Sequence, residues 1–332
     1  MALKPRVVVV GIGSIGKRHA RLLAERDDIV VEWCEPDRQL LGEVVKEMRG
    51  PDRVHFDFDA MIASAPSMVV IATPHRFHAE QTIKALGCGA HVLCEKPMAE
   101  SPESARRMLS AAAASNRVLN IGFHLHFHPG IRRLKELIGS GTLGVIAHVH
   151  CRVGSYVTLQ NSRTAYQQSL EGALMLDYAH QPDLLYWLLR VAPAGVYATG
   201  VHVKGPELHS NPNVLSLDYD YDSPLLGTIH LNYLQSPERH EYEVVGDAGW
   251  AVLNVAAATL TIGLREGTRT WVETCAVARD DLYVMEHRAF FDAASGKAAP
   301  ESPPKDALVS VLMTAAAHAS WKSKKRVTLD SI

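Results

Sequence analysis

Residues Arg6–Gly16 read RVVVVGIGSIG, a run of valines that ends in the motif G-x-G-x-x-G. The valines predict a buried β-strand, and the apolar spacing through Leu22 and Leu23 predicts that the glycines open a helix. In this order, strand, glycine turn and helix are typical of a dinucleotide-binding unit, whose pyrophosphate sits on the helix N-terminus. The motif therefore predicts cofactor contacts by Gly11, Gly13, Ser14, Ile15 and Gly16.

The alternation of short apolar runs and helical segments continues through residue 122. Further strands are predicted at Ile29–Cys34, Met68–Ala72, His91–Cys94 and Val118–Ile121, and helices at Ala79–Leu86 and Glu103–Ala114. Because short apolar runs separated by helices form parallel strands joined by right-handed crossovers, we predict a doubly wound parallel Rossmann sheet.

The pattern changes after Gly122, where strands follow one another with few helices between them. The predicted strands are Ile146–Tyr156, Val196–Val203, Val214–Tyr221, Gly227–Tyr233, Tyr242–Val245, Ala251–Val255, Thr259–Leu264 and Thr270–Thr274. Helices are predicted at Ile131–Ile138, Leu174–Leu189 and Asp306–Trp321. The fold class is therefore α/β, with a Rossmann domain at 1–122 and an α/β domain at 123–332 that holds a large, mainly antiparallel open sheet.

Composition excludes several classes of protein. The 332 residues include 34 Lys+Arg and 36 Asp+Glu with no long basic block, which argues against a nucleic-acid partner. No apolar run approaches the ~18–20 residues that cross a membrane, and none resembles a signal peptide. The five cysteines lack C-x-x-C spacing, so neither a disulfide framework nor a zinc ribbon is expected. We expect a cytoplasmic protein.

The choice of cofactor depends on Glu35 and Arg38. Glu35 ends the second predicted strand, 24 positions after Gly11, near the spacing at which an acidic residue holds the ribose hydroxyls. A carboxylate there repels the 2′-phosphate of NADP, which favours NAD. Arg38 lies close enough to leave NADP open as an alternative.

Lys96 is the first candidate for catalysis. It lies in Cys94-Glu95-Lys96-Pro97, directly after a predicted strand, and ligands of open α/β sheets bind outside the carboxyl ends of the strands. A lysine there can donate to a substrate hydroxyl or exchange a proton with it. The bond to Pro97 is of the type that can be cis. The plainer alternative is a solvated lysine before a proline that starts a helix.

These motifs, together with Ala72-Thr73-Pro74, His78 and the stretch Glu171–Asp183 (EGALMLDYAHQPD), resemble the glucose–fructose oxidoreductase/inositol dehydrogenase (GFO/IDH/MocA) family. The resemblance runs the length of the chain. It implies an NAD(P)-dependent oxidoreductase that acts on a secondary alcohol of a sugar, cyclitol or sugar derivative. It also implies cofactor contacts by Thr73, Pro74, His78, Glu95 and Lys96, and a homodimer or homotetramer formed through the C-terminal sheet.

The same resemblance assigns catalysis to Lys96 with a histidine and an aspartate of the second domain, which correspond to His180 and Asp177. Three positions apart on a helix, these two side chains share a face, and a nearby carboxylate orients an imidazole that acts as a general base. Many family members space the pair by four positions. Pro182 leaves a second alternative, in which the helix begins near Tyr178 and Asp177 is its N-cap.

The substrate candidates are Lys96, His124, Tyr156, Arg163, Asp177 and His180. If the stretch containing His124, His126 and His128 is extended, the three imidazoles share one face. Three roles are then open for these histidines: contact with the substrate, packing in the protein interior, or binding of zinc. A zinc site would need further ligands. In the family, the segment with Tyr156 and Arg163 borders the sugar site. The alternatives are a core aromatic for Tyr156 and a solvated loop residue for Arg163.

Other functions remain open beside a dehydrogenase. Some relatives keep the nicotinamide bound and use transient oxidation to break a glycosidic bond, which makes them redox-neutral hydrolases. Others are sugar-sensing regulators without catalysis, but the presence of Lys96 disfavours that class. Hydrolysis by a metal bound to the three histidines is the remaining alternative.

Overall fold

The computed structural model of the chain describes residues 4–156, 171–205 and 209–332. These described residues form two compact units, the first within the ranges 1–124 and 278–308 and the second within the ranges 125–277 and 309–332. None of the helices in these described stretches is long and apolar enough to cross a membrane.

The first unit contains a six-stranded sheet in which all neighbouring strands are parallel. Its strands are β1 (Arg6–Val10), β2 (Val30–Cys34), β3 (Arg53–His55), β4 (Met68–Ile71), β5 (His91–Glu95) and β6 (Leu119–Gly122). The helices are α1 (Ser14–Leu23), α2 (Arg38–Glu47), α3 (Phe58–Ala63), α4 (His78–Gly87) and α5 (Pro102–Ser115). The strand order is β3-β2-β1-β4-β5-β6, so the chain builds the sheet outward from β1 first on one side and then, from β4, on the other. Doubly wound sheets bind ligands at such a switch point.

The valine run explains why β1 lies at the centre of this sheet. Val7, Val8 and Val9 are fully buried, as expected for a strand covered on both faces by helices. Full burial of one such side chain contributes about 1.5–3 kcal/mol relative to exposure. The predicted Rossmann sheet is confirmed; the short edge strand β3 was not predicted.

The second unit contains a nine-stranded sheet of order β14-β13-β12-β11-β7-β10-β9-β8-β15. Its strands are β7 (Ile146–Gly154), β8 (Gly195–Val201), β9 (Val214–Asp220), β10 (Leu226–Asn232), β11 (Arg239–Gly246), β12 (Gly249–Asn254), β13 (Thr259–Leu264), β14 (Arg269–Thr274) and β15 (Val327–Thr328). Among the described strands of this sheet, only β7 and β10 pair in parallel, so the predicted mainly antiparallel sheet is confirmed.

The two faces of this sheet differ in polarity. On β7, Val149 and Cys151 are fully buried on the face that carries the helices α6 (Pro129–Gly139) and α8 (His180–Leu189). The opposite face holds partly exposed polar side chains, among them His148 and His150, whose rings lie 3.0 Å and 2.6 Å from the Thr228 hydroxyl. A sheet with one apolar and one polar face explains the alternating pattern of its sequence.

The remaining helices of the described stretches are α7 (Ala173–Asp177), α9 (Arg279–Ala294) and α10 (Pro304–Ser323). The sequence pattern assigns all of 123–332 to the second domain, whereas 278–308 belong to the first unit. The reason is that α9 packs on α1: Phe290 joins the apolar core around Ile12 and Ala20, and Asp280 pairs with Arg18 at 3.0 Å.

Candidate active site

The glycine turn between β1 and α1 is required in part by the protein's own packing. Gly11 has a φ of +83°, and a Cβ there would lie 2.9 Å from Cγ2 of Thr73. A Cβ on Gly16 would lie 1.7 Å from the carbonyl oxygen of Gly11. Only glycine allows α1 to approach β1 and β4 this closely.

Gly13 is different, because nothing in the described protein requires a glycine there. Its φ of −69° suits any residue, and no described atom lies within 4 Å of an added Cβ. Gly13 is also the N-cap of α1, and the first turn, which begins with Ser14 and Ile15, contains no acidic residue. The first backbone N–H groups of a helix lack partners within the helix and attract anions. The turn therefore fits the diphosphate of a dinucleotide, for which Gly13 leaves room.

Glu35 directly follows β2 and holds the glycine turn in place. One carboxylate oxygen accepts a hydrogen bond from the Ile12 amide at 2.9 Å, and the other accepts from the Asp37 amide at 3.0 Å. Because a carboxylate oxygen has two lone pairs, these contacts leave capacity for ribose hydroxyls. Arg38, the first residue of α2, places its guanidinium 3.8 Å from the centre of the Phe56 ring.

The loop after β4 contains Thr73, Pro74 and His78. The Thr73 hydroxyl donates to the side-chain oxygen of Gln81 at 2.6 Å. His78 is buried between two carbonyl oxygens, those of Thr73 at 2.9 Å and Pro97 at 2.8 Å. Burial lowers the pKa of His78, so the neutral ring donates one hydrogen bond at a time. His78 thus links the loops after β4 and β5, and its contact with a cofactor stays a prediction.

Lys96 directly follows β5 and is half-buried between the buried residues Glu95 and Pro97. Its bond to Pro97 is cis. The alternative of a solvated lysine before a helix-starting proline is wrong, since α5 begins only at Pro102. Because β1, β4 and β5 are neighbouring parallel strands, the glycine turn and Lys96 lie at the same edge of one sheet.

Glu95 is buried, and its carboxylate contacts two groups of the protein. One carboxylate oxygen lies 2.8 Å from Nε2 of His19, and the other accepts from the Lys96 amide at 3.1 Å. Burial alone raises the pKa of Glu95, but the hydrogen bond and charge of His19 outweigh it and bring that pKa below its usual range. The buried carboxylate fixes the main chain at Lys96, and a cofactor contact by Glu95 stays a prediction.

In the second unit, neither predicted arrangement of Asp177 and His180 is formed. Asp177 is the last residue of α7, and His180 is the first residue of α8. They do not share one helix, and Asp177 is not the N-cap of α8, since that residue is Ala179. Pro182 lies in the first turn of α8, where its missing N–H costs no hydrogen bond, and this explains the new helix start.

Asp177 has a partner that the sequence analysis did not identify. Tyr233, the residue after β10, donates a hydrogen bond from its hydroxyl to the Asp177 carboxylate. Burial, and then the charge of Asp177, raises the pKa of Tyr233 well above its usual range, so Tyr233 stays a protonated donor. His180 itself is only 8% exposed. No sequence motif marks Tyr233, because the contact joins residues 56 positions apart.

The three histidines of the stretch 124–128 do not form an extended face. His124–Phe127 is a 3-10 helix, and each ring has a different neighbour. His124 stacks on Tyr283 with ring centres 4.5 Å apart, and burial lowers the pKa of His124 to about 3. His126 lies 2.6 Å from the buried carboxylate of Asp183, and His128 caps α6. The alternative of a zinc site built from these three rings is therefore wrong.

The last two substrate candidates lie at the edge of the described residues. Tyr156 is half-buried, and its amide donates to the carbonyl of Gln235 at 2.8 Å. Arg163 lies outside the described residues.

Comparison with known proteins identifies two family domains in this chain. Residues 5–123 match the model described as "Oxidoreductase family, NAD-binding Rossmann fold", and residues 131–252 match the "GFO/IDH/MocA C-terminal domain". Together these matches cover both parts of the predicted architecture.

Three similar proteins illustrate the range of the match. D-glucoside 3-dehydrogenase of Escherichia coli is 38% identical over 144 residues, which are 42% of this chain and 41% of that protein. Less than two thirds of that relative is therefore matched. Inositol 2-dehydrogenase of Burkholderia lata is 27% identical over 86% of this chain and 85% of its own length. An oxidoreductase of Agrobacterium radiobacter, solved with NAD+, L-tartaric acid and magnesium, superimposes with a TM-score of 0.87 at 16% identity over 99% of both chains. That last likeness shows the fold.

Proposed function

Because this chain belongs to the GFO/IDH/MocA oxidoreductase family, we propose that it is an NAD-dependent dehydrogenase acting on a secondary alcohol of a sugar, cyclitol or sugar derivative. One observation carries the proposal. The glycine turn, which fits a diphosphate, and the half-buried Lys96 lie at the carboxyl edge of one parallel sheet. An ammonium beside a bound dinucleotide is placed to act on the oxygen of an alcohol.

The proposed roles of the side chains follow from their chemistry. When bound, the nicotinamide supplies the hydride acceptor. Lys96 donates a hydrogen bond that orients the substrate hydroxyl, and His180 accepts the hydroxyl proton as general base. Asp177, held by the Tyr233 hydroxyl, steadies the protonated imidazole. His124, Tyr156 and Arg163 stay proposed substrate contacts.

The substrate class is supported by the names of the curated relatives. The names D-glucoside 3-dehydrogenase and inositol 2-dehydrogenase point to a sugar derivative and a cyclitol, and the second match spans most of both chains. Glu35 directly after β2 favours NAD over NADP, since its carboxylate repels a 2′-phosphate.

We also infer a cytoplasmic homodimer or homotetramer. The polar outer face of the nine-stranded sheet, with His148, His150 and Thr228, is the surface proposed for the contact between subunits. The buried thiols of Cys34, Cys94 and Cys151 are free, and burial raises the pKa of each to about 12. Inert unpaired thiols suit a reducing compartment.

The direct test is a panel of sugars, cyclitols and glycosides, incubated with NAD and followed by the absorbance of reduced nicotinamide. Net formation of NADH with at least one free sugar or cyclitol is the expected result. Glycoside cleavage without net NADH would replace the proposal with a redox-neutral hydrolase. Tight NAD binding without turnover of any compound would favour a regulator.

A further inference from the structure

The first unit contains a buried cluster of acidic and imidazole groups behind Lys96. It joins His19 of α1, Glu95 at the end of β5 and Glu286 of α9, and one side-chain N or O atom from each lies within 4.8 Å of the others. The exposed fractions are 0% for His19, 6% for Glu95 and 0% for Glu286. Nδ1 of His19 lies 2.7 Å from Nε2 of His287.

Glu286 is the unexplained member of the cluster. Both of its carboxyl oxygens are buried without a hydrogen-bond partner among the described residues. A buried carboxylate without a partner is so unfavourable that the group takes up a proton instead. Burial, and then the charge of Glu95, raises the pKa of Glu286 well above its usual range.

Glu95, by contrast, has hydrogen-bond donors on both oxygens, from His19 and from the Lys96 amide. Its negative charge is therefore the one that the cluster stabilises. A second negative charge on Glu286 would repel that carboxylate and compete for His19. Hydrogen-bond donors therefore stabilise a negative charge on Glu95, whereas none of the described residues donates to Glu286.

We propose that Glu286 is a positioning residue for Lys96: it carries a proton beside the Glu95 carboxylate, so that the cluster keeps a single negative charge behind the Lys96 main chain. The effect reaches Lys96 through Glu95, whose carboxylate accepts from the Lys96 amide. The catalytic part of this inference rests on the proposed function of Lys96.

Several other titratable or charged groups lie near the cluster, and their charges also affect how its protonation changes with pH. They are Arg18 and Arg26 of α1 and the turn after it, Lys96 after β5, His124 of the 3-10 helix, and Arg279, Tyr283 and His287 of α9. Of these, His124, Tyr283 and His287 are uncharged near pH 7, because burial lowers the pKa of both histidines and raises that of the tyrosine. Burial and the negative charge of Glu95 both oppose the ionisation of Glu286, whereas His19 favours the ionisation of Glu95.

The first test uses thermal unfolding and does not depend on enzyme activity. Folded Glu286 keeps its proton, whereas the unfolded chain releases it above about pH 4.5, so this residue costs stability increasingly as pH rises. Glu286→Gln removes that cost while keeping the shape of the neutral acid. The Tm of Glu286→Gln relative to the unaltered protein should therefore rise by ~2 °C or more between pH 5 and 8.

The matched control is Glu25→Gln, the same substitution at a side chain that is 65% exposed in the same unit. Its Tm difference should stay flat across that pH range. A flat difference for Glu286→Gln would overturn the proposal. Loss of Tm by Glu286→Gln at every pH, with a stoichiometric divalent cation in the purified protein, would instead assign Glu286 as an ionised metal ligand.

The second test measures the effect on Lys96 through turnover of a substrate from the panel. Glu286→Leu, which cannot hold the proton, should lower kcat by ~10-fold or more with little change in KM for NAD, and Glu286→Gln should restore kcat to within about twofold. Equal kcat in both variants would overturn the positioning role. If Glu286→Leu does not fold, the pH dependence of kcat tests the positioning role instead. Gln cannot lose a proton as Glu286 does, so the fall of kcat at alkaline pH should move to higher pH in Glu286→Gln. Failure of the unaltered protein to oxidise any panel compound would refute the proposed function alone, because the unfolding result stands independently.

Discussion

The Tyr233 hydroxyl donates a hydrogen bond to the carboxylate of Asp177, which joins the residue after strand β10 to the last residue of helix α7. The contact fixes the carboxylate at the point where the chain turns from α7 toward His180. Because burial raises the pKa of Tyr233 well above its usual range, its hydroxyl is a protonated donor near neutral pH.

Removing this donor tests the role of Asp177. Tyr233→Phe should lower kcat by ~10-fold, because a hydrogen bond to a charged group contributes about 1.5–3 kcal/mol and the carboxylate loses its fixed position. Steady-state kinetics with NAD in excess give the number. Tyr197→Phe, at a residue that is 43% exposed, is the matched control and should leave kcat unchanged. A normal kcat in Tyr233→Phe would show that Asp177 does not need this anchor.

Gly13 and Gly16 separate cofactor binding from folding. Gly13→Ala should weaken NAD binding by ~10-fold or more while leaving Tm unchanged, since the added methyl contacts no described protein atom but enters the space in front of α1. Gly16→Ala should lower Tm sharply, because its Cβ would lie 1.7 Å from the Gly11 carbonyl. Calorimetric titration with NAD and thermal unfolding measure the two effects.

Gly42→Ala, in the middle of α2 with open space around it, is the control for both variants. It should keep NAD affinity and gain about 1 kcal/mol of helix stability. Unchanged NAD affinity in Gly13→Ala would contradict the assignment of this turn to the diphosphate.

The buried pair of His126 and Asp183 should act on stability rather than on turnover. Their side chains lie 2.6 Å apart and are 2% and 3% exposed, and the His126 ring stacks on Trp187. Asp183→Asn should destabilise the second unit by about 3–5 kcal/mol, because removing one partner of a buried pair leaves the other without compensation. Chemical denaturation measures this loss. Asp59→Asn, whose side chain is 70% exposed, should cost less than ~1 kcal/mol, and an equal cost in both variants would refute the assignment.

The parts of the fold that were predictable depend on contacts close in sequence. The strand Arg6–Val10, the glycine turn and the start of α1 follow from one continuous stretch, and Lys96 follows from a motif at a strand end. Local periodicity also predicts most strands of the nine-stranded sheet, because its two faces differ in polarity.

The parts that were missed depend on distant contacts or on a small local choice. The His19 ring contacts His287 across 268 positions, so no spacing rule brings α9 to the first unit. The helix predicted over 174–189 is broken between Asp177 and His180, because Pro182 fits only in the first turn of a helix. The apolar pattern of 174–189 does not show where that first turn begins. The contacts of Glu95 and His78 within the protein were also missed, because a motif marks a place in the chain without showing which protein groups a side chain will meet.

Replacement of Lys96 by methionine tests the central claim most directly. Lys96→Met keeps the length of the side chain and removes its ammonium, so it should bind NAD with unchanged affinity in calorimetry and lose turnover by orders of magnitude on a substrate from the panel. Lys84→Met, at a side chain that is 50% exposed in the same unit, should behave like the unaltered protein. Near-normal turnover of Lys96→Met would contradict the account.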